Sequence, residues 1–133
     1  MEAIVYTDNG AKWHAERVMN PTWPAIEIAI RRMDKFFFPQ VALFCDEEPP
    51  YPADFDIMGG KGDWTMYAQF ATRTYYNPSG NPDPDELVWV WQSDQGAYAP
   101  DTNVCRSLET VLATTRYFFE TGKLDPSVQW TDL

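Results

Sequence analysis

Hydrophobic and polar positions alternate in some segments of this chain and recur every three to four residues in others. Residues 3–7 (AIVYT) read as a short first strand, closed by a turn at Asp8-Asn9-Gly10. Residues 11–20 carry no clear period. In residues 21–37 (PTWPAIEIAIRRMDKFF), Trp23, Ile26, Ile30 and Met33 share one face of a predicted helix. Thr22 is placed to cap it, and Pro24 falls in the first turn, where a missing N–H does no harm. Arg31, Arg32 and Lys35 lie toward its C-terminal end, where the helix dipole favours cations.

Residues 39–46 (PQVALFCD) read as a second strand, which the prolines of EEPPYP terminate by removing ladder donors. FDIMGGKGDW reads as a short strand and a glycine-rich turn. In residues 64–76 the alternation is clearest: Trp64, Met66, Ala68 and Phe70 take one side, and Thr65, Tyr67, Gln69 and Ala71 the other. After the loop NPSGNPDPDE, residues 87–94 (LVWVWQSD) form an apolar run without alternation. That pattern predicts a central strand covered on both faces, joined to the preceding strand as a long hairpin.

A last helix is predicted from about Ser107 to Thr121, with Ser107 as its cap and Glu109 in its first turn. Leu108, Val111, Leu112, Thr115, Phe118 and Phe119 form its apolar stripe, and Gly122 its left-handed stop. Pro126 then reverses the chain, so Val128 and Trp130 are expected to return against the helix or the sheet. The whole predicts a single α+β domain over residues 1–133: a mostly antiparallel sheet of about five strands, with an N-terminal and a C-terminal helix packed on it.

Composition adds two facts. The chain has 133 residues and a formal charge of −10, which speaks against nucleic-acid or anionic-membrane partners and for a basic protein partner. It is also rich in aromatics, with six Trp, seven Tyr and eight Phe, residue types that anchor interfaces. Cys45 and Cys105 have neither zinc nor disulfide spacing, so a reducing cytoplasm is the expected location. The first twenty residues do not read as a signal peptide, and no apolar run reaches membrane-span length.

Candidate chemistry is thin, and no catalytic residue, metal site or cofactor is assigned. His14-Ala15-Glu16 matches the H-x-E half of a zinc deaminase motif, but neither cysteine stands in P-C-x-x-C, so a surface histidine is the expectation. Residues 59–63 (GGKGD) lack the phosphate-loop spacing and read as a turn. Trp89 and Trp91 read as core rather than as a sugar platform. The charge layout says more. Residues 36–60 hold Asp46, Glu47, Glu48, Asp54 and Asp56 with no Lys or Arg, and residues 74–105 hold Asp83, Asp85, Glu86, Asp94 and Asp101, again with none. Both stretches are proline-rich and carry tyrosines. Proline-held loops order cheaply, tyrosines anchor, and acids select a basic partner. The partner-binding candidates are therefore Asp46, Glu47, Glu48, Asp54, Asp83, Asp85 and Glu86, with Tyr51 and Tyr76 as anchors.

The chain's end carries a resemblance. Phe118 and Phe119, then Thr121-Gly122, Pro126, Val128 and Trp130, resemble immunity protein family 1 of bacterial polymorphic toxin systems. The LVWVW segment, Gly96-Ala97-Tyr98 and residues 38–44 (FPQVALF) stand at matching places. The resemblance covers residues 85–133, is looser over 38–84, and does not extend to 1–37. It implies a small cytoplasmic α+β protein that binds and neutralises a cognate toxin, commonly a deaminase. It implies no contact residues, because the family's loops vary. The alternatives are a small carboxylate-dependent hydrolase and an adaptor domain without a toxin partner.

Overall fold

A computed structural model describes residues 1–8, 12–45, 54–69, 72–83, 85–92 and 96–132. Strand β1 (Glu2–Asp8) pairs antiparallel with β2 (Trp13–Met19) on one side and with β3 (Gln40–Phe44) on the other. Between β2 and β3 runs α1 (Trp23–Arg32). From β3 the sheet continues through β4 (Asp54–Gly60), β5 (Asp63–Ala68), β6 (Arg73–Tyr75) and finally β9 (Trp130–Asp132). Its seven strands lie in the order β2-β1-β3-β4-β5-β6-β9, all neighbours antiparallel. A separate two-stranded ribbon is formed by β7 (Leu87–Trp91) and β8 (Ala97–Pro100). Helix α2 (Leu108–Thr121) follows a short 3-10 turn, Asp101–Asn103. The α+β class, the antiparallel sheet and both helices agree with the sequence reading.

The period-2 pattern sorts the main sheet into two faces. Ala3 and Val5, Val41 and Leu43, Phe55 and Ile57, and Trp64 and Met66 project to one side. There they meet Ile26, Ala29, Ile30 and Met33 near α1, and Val111 and Phe118 of α2. Phe55 and Phe118 are fully buried and stack with ring centres 5.2 Å apart. Burying side chains of this size contributes about 1.5–3 kcal/mol each. Thr22 Oγ1 accepts the Ala25 N–H, and Ser107 Oγ accepts the Thr110 N–H, so both helices start on the predicted caps. Helix α2 ends on Gly122 at φ 70°, whose N–H donates to the Phe118 carbonyl at 2.7 Å.

The tail does close the core. Trp130 sits in β9 opposite Tyr75, edge-on to Phe55 and Tyr75, and its Nε1 donates to the Asp125 carbonyl at 2.9 Å.

Several expectations are corrected. The described residues hold nine strands, not about five. The unassigned stretch 11–20 contains β2, an edge strand exposed almost throughout. The first helix stops at Arg32, because Met33 leaves with ψ 134°. Residues 64–76 are not one strand: β5 turns back between Ala68 and Arg73 into β6. The pairing switches parity across the turn, so that odd-numbered Tyr75 shares the core face with Met66 and Ala68. LVWVW is not central in the main sheet. Among the described residues it pairs only with β8, and β6 pairs with β5 and β9, so the predicted hairpin across NPSGNPDPDE does not form. Of the predicted turn Asp8-Asn9-Gly10, residues 9 and 10 lie outside the described residues.

Candidate protein-interaction surface

The β7–β8 ribbon lies over the helix-free face of the main sheet. Its inward residues Val90 and Ala99 form a small second core with Val104, onto which Met58, Val88 and Ala97 pack. Pleating then sends Leu87 and Trp89 outward. Trp89 pairs across the ribbon with Tyr98, ring centres 3.7 Å apart. Leu87 is 55% exposed, Trp89 38% and Tyr98 51%. The core reading of Trp89 is therefore corrected: a two-stranded ribbon has one covered face, and Trp89 is on the other. A register shift between Trp89 and Trp91 re-aims the next indole, as bulges do. Trp91 is half-buried, and its Nε1 donates to Asp8 Oδ2 at 2.7 Å.

Three predicted acids stand at the entry to this ribbon. Asn81 Oδ1 accepts the Asp83 N–H, Asp83 Oδ1 accepts the Asp85 N–H, and the Glu86 N–H donates to the Asp83 carbonyl. These local bonds order the turn and leave Asp83, Asp85 and Glu86 exposed beside Leu87.

The ribbon's base is fastened by a chain of ion pairs. Lys35 Nζ meets Asp63 Oδ2 at 2.6 Å, Arg106 Nε meets Asp63 Oδ1 at 3.1 Å, and Arg106 Nη2 bonds Asp101 Oδ1. Asp101 also accepts the Asn81 N–H. The Asn81 amide and then the Arg106 guanidinium hold the Asp101 carboxyl below its ordinary range, and Asp101 in turn raises Arg106.

At the far end of β7 a second aromatic group gathers. The Gln92 N–H donates to the Lys35 carbonyl, and the Asp8 N–H donates to the Phe37 carbonyl. Asp34 Oδ1 accepts the N–H groups of both Phe36 and Phe38. The Lys35 N–H is taken by the Gly59 carbonyl, with Lys35 itself at φ 69°. Residues 34–38 approach the sheet so closely that a Cβ on Gly60 would lie 2.5 Å from the Asp34 nitrogen. This pinned loop presents Phe36 and Phe37 to solvent, edge to face at 5.3 Å. Trp13, opposite Asp8 across β1–β2, is also exposed.

The other sequence candidates fall elsewhere. Asp46, Glu47, Glu48 and Tyr51 lie outside the described residues. Asp54 is no loop acid: it opens β4 opposite Phe44, is buried, and accepts the Gln69 N–H at 3.0 Å. Tyr76 is half-buried and lines a cleft of about 270 Å³ with Tyr75, Pro78, Thr110 and Val128. His14 is exposed on β2, as expected of a surface histidine.

One acid counted in the sequence but not chosen stands out. Asp56 projects from the helix-free face of β4, next to Gln40, whose Nε2 donates to it at 2.9 Å. Burial pushes its carboxyl up to about 6; the Gln40 bond pulls against this, and the charge of Asp54 adds a smaller upward push. Asp54 is raised by burial too, and Tyr6 by burial and by Asp56. Strand alternation could have placed Asp56 and Asp54 on one face, but only the tertiary structure desolvates them. Among the described residues no group of three His, Cys, Asp or Glu side chains is arranged to hold a metal, and no helix is long and apolar enough to cross a membrane.

No protein-family model matches this chain, and a search of curated proteins likewise finds no match.

Proposed function

We propose that this protein is an immunity protein that binds and neutralises a cognate bacterial toxin in the cytoplasm, without turnover. One observation carries the reading: exposed Leu87, Trp89 and Tyr98 form a firmly held apolar face with Asp83, Asp85 and Glu86 at its entry. Aromatic anchors beside acids suit a partner with an apolar spot inside a basic groove. A toxin that acts on nucleic acid, a deaminase above all, has such a groove, because it must attract phosphate. A chain of net charge −10 would compete for that groove and occlude the active site. Asp46, Glu47, Glu48 and Tyr51, outside the described residues, remain candidates on the sequence alone. The family resemblance supports the same reading through its scaffold: Phe118, Gly122 and Trp130 are core and cap residues, so they speak for the fold rather than for the contact.

The test is co-expression with the C-terminal domain encoded by the upstream neighbouring gene, scoring growth rescue and co-purification. A captured toxin domain should bind the Asp83→Lys/Asp85→Lys/Glu86→Lys variant at least tenfold more weakly, with a flatter salt dependence. Unchanged affinity in that variant, or failure of the wild type to rescue growth, would refute the proposal.

A second reading keeps one observation of its own. Asp54 and Asp56 lie two residues apart on one strand face, roughly 7 Å along the strand, and both carboxyls are raised. Such a pair is what a carboxylate-dependent hydrolase requires. Any hydrolysis found in a substrate screen should then vanish in Asp56→Asn, while toxin binding stays intact.

A further inference from the structure

We infer that two copies of this chain pair antiparallel along β2, with the two-fold axis at Ala15, joining their sheets edge to edge. This goes beyond the toxin reading and holds with or without it.

The backbone shows which groups are available. In an antiparallel ladder, hydrogen-bonded and non-hydrogen-bonded pairs alternate. The Asn20 N–H donates to the Met1 carbonyl, so the pairs 3–18, 5–16 and 7–14 are the bonded ones between β1 and β2. The outward bond from the Asp8 N–H to the Phe37 carbonyl fits this phase, because it puts the even residues of β1 on the side away from β2. The N–H and C=O groups of Trp13, Ala15, Arg17 and Met19 therefore point off the free edge. Among the described residues no strand pairs with that edge. Six of the seven residues of β2 are exposed, and a seven-residue open edge is a template for another strand.

Symmetry and charge then choose the occupant and its register. A two-fold axis perpendicular to the sheet must place a residue opposite its own copy. With the axis at Glu16, two carboxylates face each other; with the axis at Arg17, two guanidiniums do. With the axis at Ala15 no like charges meet. Glu16 then faces His14 of the other copy, and Arg17 faces the exposed indole of Trp13, each contact occurring twice. Ala15 and its copy exchange N–H···O bonds, as do Trp13 and Arg17, which gives about six new backbone bonds. A contact of about six backbone bonds between two strands is modest, and the dimer population should grow with concentration. The −10 charge on each copy is screened beyond about 8 Å at physiological salt.

The test measures molar mass by sedimentation equilibrium across concentration, together with cysteine cross-linking in a Cys45→Ser background. Facing residues of a bonded pair have Cα atoms about 5.5 Å apart, within disulfide range. Ala15→Cys should oxidise to a covalent dimer in high yield, and Glu16→Cys and Arg17→Cys should not. Ala15→Asp, which sets two carboxylates on the axis without touching the monomer core, should be monomeric with an unchanged circular dichroism spectrum and Tm. A wild type that stays monomeric at every concentration overturns the inference. So does a dimer that cross-links through position 16 or 17, or one that survives Ala15→Asp.

Discussion

Replacing Asp56 by Asn should make this protein more stable at neutral pH. The carboxyl is held at about 6 in the fold, against 3.8 in an unfolded chain. At about 1.4 kcal/mol per pH unit, ionised Asp56 costs the fold about 3 kcal/mol. The sign follows from proton binding. Between pH 3.8 and 6 the native state holds the proton more tightly than the unfolded state, so stability falls as pH rises through this window and is flat above it. Asparagine stays neutral and can still accept the Gln40 N–H through its carbonyl oxygen. The advantage of Asp56→Asn over wild type should therefore roughly double between pH 5 and pH 7.5, where it reaches about 3 kcal/mol. Urea unfolding of both proteins at pH 5, 6, 7 and 7.5 measures it, and the difference between the two cancels the carboxylates distant from Asp56. A difference that stays constant with pH would refute the desolvated Asp56. So would an Asn variant less stable than wild type at pH 7.5. An acid retained at such a cost is a candidate for function rather than for support, which is why it underlies the hydrolase reading.

Two further substitutions test the scaffold. Trp130→Ala removes the edge contacts to Phe55 and Tyr75 and the bond to the Asp125 carbonyl; it should cost about 3 kcal/mol in urea unfolding, and a cost under about 1 kcal/mol would show that the tail does not close the core. Arg106→Ala strips the cation from buried Asp101 and from Asp63. It should cost about 2 kcal/mol, with amide exchange quickening first in the β7–β8 ribbon, whereas a uniform rise across the main sheet would mean that the ion pairs do not fasten the ribbon.

Local chemistry made both helices readable. The stripe from Ile26 to Met33 and the caps Thr22, Ser107 and Gly122 act within a few residues, and each stands where the pattern put it. Part of the candidate surface is also readable: charge points to Asp83, Asp85 and Glu86, and they do stand together at the ribbon's entry. Failures came where the deciding partner is distant in sequence. WHAERVM has no period because an edge strand with two exposed faces needs none. LVWVW looked buried on both faces because an apolar run does not say whether its outer side is covered, and here Leu87 and Trp89 are left in solvent. Asp54 looked like a loop acid until its pairing with Phe44 placed it in the sheet.

By itself, then, the sequence determined the class of fold, the two helices with their caps at Thr22 and Ser107 and the Gly122 stop of the second, the return of Trp130 into the core, and a strongly acidic, aromatic character. Those follow from composition and from contacts within one turn of a helix or one strand. Only the tertiary structure decided the strand order, the separate β7–β8 ribbon, which aromatics remain exposed, and which carboxylate is desolvated. Each of these depends on what covers a side chain, and the covering residue lies tens of positions away along the chain. Trp91 on Asp8 and Arg106 on Asp63 are such cases.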